Sequence, residues 1–293
     1  MHLTGAFVSL LSVLAVIASP VPEAKGNAEV FEKRALSSSI YNDLVSYFKY
    51  ASSAYATACA RPNGNTLVSS FSAIATDTQG FVARDDTKKE IVVALRGSSS
   101  IADFVTDASV LLVPFTSPGV NAPTGTLVHT GFLTAWNSVA SGVIATVSAQ
   151  LAAHPGYSIA TSGHSLGGAL SSLAGIALKQ NFPNTPLRLF TYGQPRTGNP
   201  TYAQFVNNAV GSGNIFRGVH TTDGVPTIIP TYWGYAHHGT EYWNFLDPSS
   251  AITTKQCASS GEDLTCSASI ISGGINAAHL TYYNILASTA SCT

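Results

Sequence analysis

The chain has 293 residues, with 14 Lys and Arg against 15 Asp and Glu and a formal net charge of -1. That length can bury one large core, and the balanced charge gives no overall electrostatic attraction for nucleic acid, which is not expected as a partner. Only 10% of the residues are charged, against roughly a quarter in an average soluble protein, which suits an exported protein of neutral surface and an uncharged substrate.

Residues 1–4 lead into an apolar run over residues 6–18, followed by Ser19-Pro20. This is the pattern of a signal peptide cut near Ala18. The run is shorter than the roughly 20 residues of a spanning helix, so no stable membrane anchor is expected. Residues 19–34 turn polar and end in Lys33-Arg34, a pair that a processing protease of the secretory pathway cuts, although the same two residues also read as an ordinary surface pair. The expected organisation is 1–18 signal peptide, 19–34 propeptide and 35–293 a single domain.

Residues 39–56 repeat Leu44, Val45, Tyr47 and Phe48 at helical spacing and predict a first amphipathic helix. Residues 80–84 and 89–95 read as two strands joined by Asp85-Asp86-Thr87, the second ending at Arg96-Gly97. Over residues 136–151, Val139, Val143, Val147 and Leu151 stand four apart and predict a helix, which Pro155-Gly156 stops. Tyr157, Ile159 and Ala160 then form a buried strand, and Ala169, Leu170, Leu173, Ala174, Ala177 and Leu178 a buried helix. Between them lies Gly163-His164-Ser165-Leu166-Gly167, the G-x-S-x-G pattern of a nucleophile elbow. Glycines flank the serine because a Cβ there would strike the adjoining strand or helix. The turn lifts the Ser165 hydroxyl over the sheet edge beside the free N–H groups of a helix start.

Downstream, residues 187–192 form a strand, 202–209 a helix, 215–220 a further strand and 241–245 one more. Strands alternating with helices predict an α/β fold, a mostly parallel sheet with helices on both faces. The four cysteines, Cys59, Cys257, Cys266 and Cys292, fit an oxidising compartment and two disulfides with three possible connectivities. A Cys257–Cys266 bond would close a short loop and leave Cys59 to Cys292. The competing zinc site lacks C-x-x-C or H-x-x-x-H spacing, so no metal and no other cofactor is expected.

A serine hydroxyl attacks only when a base takes its proton and an acid orients that base. The acids after Ser165 are Asp223, Glu241, Asp247, Glu262 and Asp263. Asp223 follows the strand ending at His220 and precedes Gly224-Val-Pro226, at a strand end where such sheets place functional side chains. A turn-forming aspartate is the alternative. Among His237, His238 and His279 the last suits the base, in a loop after Gly273-Gly274 that is expected to run into a terminal helix. His237 and His238 precede a strand-like segment and suit packing. His164 would point away from the turn and serve packing or hydrogen bonding.

The ordered blocks Arg96-Gly-Ser-Ser-Ser-Ile101, Val128-His-Thr-Gly-Phe132, Gly163-His-Ser-Leu-Gly-Gly168, Gly193-Gln-Pro-Arg-Thr-Gly198, His220-Thr-Thr-Asp-Gly-Val-Pro226, Gly234-Tyr-Ala-His237 with Glu241-Tyr-Trp243, and Ala278-His-Leu-Thr-Tyr282 resemble the class 3 lipases of filamentous fungi and the related feruloyl esterases. The resemblance covers nearly the whole mature region. It implies an α/β-hydrolase fold, a Ser165–Asp223–His279 triad, and an oxyanion hole made by the Leu166 N–H and Ser98. It also implies disulfides Cys59–Cys292 and Cys257–Cys266, and a short helical lid carrying Ile101, Phe104 and Val105. Without the resemblance that lid segment reads as an amphipathic core helix.

The expectation is a secreted carboxylic-ester hydrolase, a lipase acting on acylglycerols through an acyl-enzyme, with a lipid or other apolar ester as partner and transient contact with an oil–water interface. A feruloyl-type aryl esterase is the alternative, and a non-catalytic binding protein on the same fold a remote one.

Overall fold

The computed structural model describes residues 36–98 and 110–292. The expected export and processing segments, and the lid residues Ile101, Phe104 and Val105, lie outside these described residues.

Eight strands form the main sheet: Thr66–Ala73 (β1), Thr78–Asp85 (β2), Glu90–Leu95 (β3), Ser158–His164 (β6), Leu187–Tyr192 (β7), Ile215–His220 (β8), Glu241–Asn244 (β9) and Thr254–Gln256 (β10), in the spatial order β1-β2-β3-β6-β7-β8-β9-β10. The pairs from β3 to β9 are parallel, and the pairs β1–β2, β2–β3 and β9–β10 are antiparallel. Leu112–Pro114 (β4) and Leu127–His129 (β5) make a small separate antiparallel pair. A hairpin of Thr281–Tyr282 (β11) and Ile285–Leu286 (β12) follows the main sheet.

The sheet is buried on both faces, as its continuous apolar strands require. β3 illustrates the division: Ile91, Val93 and Leu95 point into one layer, and Val92 and Ala94 into the other. The first layer is covered by Thr130–Asn137 (α2), Ala140–Ala153 (α3), Leu166–Asn181 (α4) and Pro200–Val210 (α5). The second is covered by Ser38–Ser53 (α1), whose Leu44, Tyr47, Phe48 and Ala51 meet Phe190, Tyr192 and the hairpin's Tyr282. No single helix among the described residues is long and apolar enough to cross a membrane. The bent pair α2 and α3 passes in sum, but Phe132, Trp136, Val143 and Val147 lie in the core.

Two expectations change. The helix expected over residues 136–151 is the end of α2 and most of α3, separated at Ser138 and Val139. The break follows from Ser138, whose hydroxyl donates to the Ala135 carbonyl at 2.6 Å and competes with the helical bonds. The helix expected after His279 is a 3-10 turn, Ala277–Leu280, leading into the β11–β12 hairpin. Tyr283 and Asn284 both take positive φ, 51° and 61°, which suits a two-residue hairpin turn and ends any helix. β1, β4, β5 and β10, polar or very short, carried no pattern that sequence reasoning had read.

Cys59 is joined to Cys292 and Cys257 to Cys266. The first bond ties the chain after α1 to the segment beyond the hairpin. There Asn63 N–H also donates to the Ser291 carbonyl at 2.6 Å.

Candidate active site

Ser165 sits between β6 and α4 with φ 62° and ψ -128°, a region that residues with a side chain enter only when their surroundings hold them there. Its N–H donates to the Tyr192 carbonyl of the neighbouring strand at 2.8 Å. The glycines make that turn possible. A Cβ on Gly163 would overlap the Gly167 carbonyl, and one on Gly167 would overlap the Leu95 carbonyl.

Asp223 lies just past β8, two strands along the sheet from Ser165, and is 1% exposed. Its Oδ1 accepts from the Val225 N–H at 2.9 Å, and its Oδ2 accepts from the Tyr282 hydroxyl. Burial opposes its ionisation. The His279 ring, the Tyr282 hydroxyl and the Val225 N–H outweigh that penalty and hold the carboxyl below its usual range.

His279 comes from the 3-10 turn before β11, capped by Asn276, whose side chain accepts from the His279 N–H at 3.3 Å. Its Nδ1 lies 2.9 Å and 3.1 Å from the two Asp223 carboxylate oxygens, and its Nε2 lies 2.8 Å from Ser165 Oγ. Gly193, just past the end of β7, lies against these groups with φ 55°. A Cβ there would stand 2.7 Å from Asp223 Oδ2 and 2.9 Å from His279 Cε1. The three predicted side chains are therefore brought into one hydrogen-bonded chain. A hydroxyl, an imidazole able to take its proton and a carboxylate behind the imidazole are what acyl transfer needs.

The chain of groups opens into a cavity of about 260 Å³ lined by Tyr55, Ser98, Ser165, Ile275, Leu280 and Leu286. Ser98 thus faces the same space as the nucleophile. Leu166 is the first residue of α4, so its N–H has no partner within the helix.

The other histidines fall elsewhere. His237 and His238 are buried, His237 with Nε2 2.8 Å from the Pro226 carbonyl and His238 with Nε2 2.9 Å from Ser172 Oγ. His164 is buried beside the site, its Nδ1 2.8 Å from the Tyr55 hydroxyl and its Nε2 2.8 Å from the His279 carbonyl. Burial, then the neighbouring His279 charge, lower the His164 pKa to about 3, so the ring is neutral.

A family model for lipase (class 3) matches residues 92–233. The secreted mono- and diacylglycerol lipase 1 of Fusarium solani is 34% identical, aligned over 96% of this chain and 89% of its own. The chain belongs to the class 3 lipase family. Among solved structures, a triacylglycerol lipase from Penicillium expansum superimposes with a TM-score of 0.79 at 31% identity, over 88% of this chain and 98% of that one. Another, a triacylglycerol lipase whose catalytic centre is a serine-protease triad, gives 0.76 at 33% identity over 89% and 99%. The likeness to these structures thus extends over most of the chain, well beyond the elbow.

Sequence reasoning passed over Tyr282 and Tyr55. Tyr282 stood in the Ala278-His-Leu-Thr-Tyr282 block, three residues beyond His279, a usable signal. Nothing local marked Tyr55, whose role depends on where α1 leaves it.

Proposed function

We propose that this protein is a secreted lipase that hydrolyses acylglycerol esters through an acyl-enzyme on Ser165. The observation that carries the reading is the 2.8 Å approach of His279 Nε2 to Ser165 Oγ, with Asp223 behind the imidazole at 2.9 Å. In this reading residues 1–18 direct export and residues 19–34 are removed during processing.

His279 takes the Ser165 proton as Oγ attacks the ester carbonyl. Asp223, kept ionised by its neighbours, balances the imidazolium that forms. The negative oxygen of the tetrahedral intermediate receives the Leu166 N–H and the Ser98 hydroxyl, donors that cost about 10²- to 10³-fold in rate when one is lost. The imidazolium returns its proton to the leaving alcohol, and water admitted to the same place releases the fatty acid by the reverse sequence.

The cavity rim supports an apolar substrate at a lipid surface. Ile275, Leu280 and Leu286 line it and stay 43%, 51% and 54% exposed, apolar area that water does not favour and that an oil surface would cover. Ile101, Phe104 and Val105 serve in this reading as the apolar residues of a lid.

The test is hydrolysis of tributyrin, triolein and methyl ferulate, each below and above its emulsion threshold, with Ser165→Ala as control. A rise in rate as triolein emulsifies, lost in Ser165→Ala, is expected. Activity restricted to dissolved methyl ferulate would overturn the acylglycerol assignment, and near wild-type turnover by Ser165→Ala would overturn the mechanism.

A further inference from the structure

His279 is carried by neither a strand of the main sheet nor an α-helix, yet its ring must hold two hydrogen bonds in opposite directions. Its 3-10 turn follows an open stretch in which Ile271 is 93% exposed. Three consecutive carbonyls of that turn meet donors. Ala278 O lies 2.8 Å from His220 Nδ1, His279 O lies 2.8 Å from His164 Nε2, and Leu280 O accepts from the Ala287 N–H at 2.8 Å. The last bond belongs to the hairpin. The first two come from imidazoles at the ends of β8 and β6.

We infer that His220 and His164 are positioning residues that hold consecutive carbonyls of the His279 turn and so set the distance between the base and the nucleophile. The inference rests on the proposed triad.

The geometry on each side is complementary. A carbonyl only accepts, so His164 carries its proton on Nε2 and its Nδ1 accepts from the Tyr55 hydroxyl at 2.8 Å. The His279 carbonyl thereby fixes the tautomer, and the Tyr55 hydroxyl holds the ring from its other nitrogen. His164 also precedes Ser165 in the chain, so one residue's length links the nucleophile to the backbone of its base. The two rings lie 4.5 Å apart, centroid to centroid, and a neutral His164 adds no charge beside the imidazolium that forms on His279.

On the other side, His220 turns its second nitrogen to Asp247 Oδ1 at 2.9 Å, which fixes the ring plane. Asn276 adds a third tie, donating to the Thr222 carbonyl at 2.7 Å. β8 thus supplies both the acid, three residues past His220, and a hold on the base.

The experiment replaces each imidazole by a side chain that lacks the donor and by one that keeps it. His164→Leu and His220→Leu remove the bonds. His164→Gln keeps a donor near Nε2, and His220→Asn keeps one near Nδ1. Kinetics on a dissolved p-nitrophenyl butyrate, thermal unfolding, and the downfield proton resonance of the Asp223–His279 hydrogen bond are read for each. The leucine variants should lose about 10- to 100-fold in kcat with KM held within about two-fold, since an ångström of misplacement costs about that much. The resonance should shift or broaden, and the amide variants should recover most of the rate.

If a leucine variant does not fold, Asp247→Ala and Tyr55→Phe decide. Asp247 is 60% exposed on its side chain, and each substitution frees one imidazole while leaving its ring in place. A kcat several-fold lower with an altered resonance is expected. Wild-type kcat and an unmoved resonance in the folded variants would overturn the inference, as would amide variants no better than leucine. Ser165→Ala separates the two readings: if it keeps its activity the triad itself is wrong, whereas an inactive Ser165→Ala beside fully active clamp variants sinks only this inference.

Discussion

A methyl group on Gly97 would collide with the Tyr55 hydroxyl and come within 2.7 Å of the His164 carbonyl and 3.1 Å of the Ser165 Cβ. The Tyr55 ring can swing aside, but the backbone carbonyl cannot, so the strain falls on the elbow and on the Ser98 that follows. Gly97→Ala should lower kcat/KM on tributyrin by at least about 10-fold. Overpacking of this kind costs about 1–3 kcal/mol, which urea unfolding would read. At this scale the site was well marked in the sequence. Ser165 lay in a pattern whose glycines have steric reasons, and Asp223 and His279 followed in the order the fold imposes. What could not be read were partners set by tertiary approach. Tyr55 lies 109 residues from the His164 ring it bonds, and His220 lies 58 residues from Ala278.

Elements were legible where burial was continuous. Residues 187–192 and 215–220 match β7 and β8, because both faces of those strands are covered and every apolar side chain points into a core. β1 escaped because it is a polar edge, with Thr66, Ser70 and Ser72 outward. The hairpin after His279 escaped because two positive-φ residues leave no periodicity. Element ends have their own chemistry, as at the start of α5. There Asn199 Oδ1 accepts from the Tyr202 N–H at 2.9 Å and from the Leu127 N–H at 3.1 Å, and its Nδ2 donates to the Gly125 carbonyl at 2.8 Å. One side chain therefore caps a helix and fastens the β5 connection to it. Asn199→Ala should lose more than the roughly 1 kcal/mol of an ordinary cap, about 2–3 kcal/mol when the two further bonds are counted at about 1 kcal/mol or less each. Denaturant unfolding would show it as a lower midpoint with an unchanged slope.

The whole molecule carries an acid sensitivity built from its buried imidazoles. Burial first, then nearby cationic groups, take His164 and His238 from an ordinary 6.5 down to about 3, and hold His237 well below its usual range. Unfolded, each ring binds a proton below about pH 6.5, whereas folded His164 and His238 do not until near pH 3, and His237 not until well below its usual range. The unfolded state therefore holds more protons in that window, and stability falls as the pH drops through it. The ceiling is about 1.4 kcal/mol per pH unit for each ring. Urea midpoints should decline steadily from pH 6.5 to 4, and His238→Gln, which keeps polar contact with Ser172, should decline less steeply. A flat profile would count against neutral burial.

The general architecture was readable because strand and helix periods alternate cleanly; the hold of the sheet on the His279 turn was not, since it depends on approaches between distant segments. That arrangement also sets an order along the chain. Ser165 and Asp223 both precede β9 and β10, but His279 follows every strand of the main sheet. In the proposed mechanism ester cleavage needs that final turn in place, so a chain interrupted before it would carry the serine and the acid without their base.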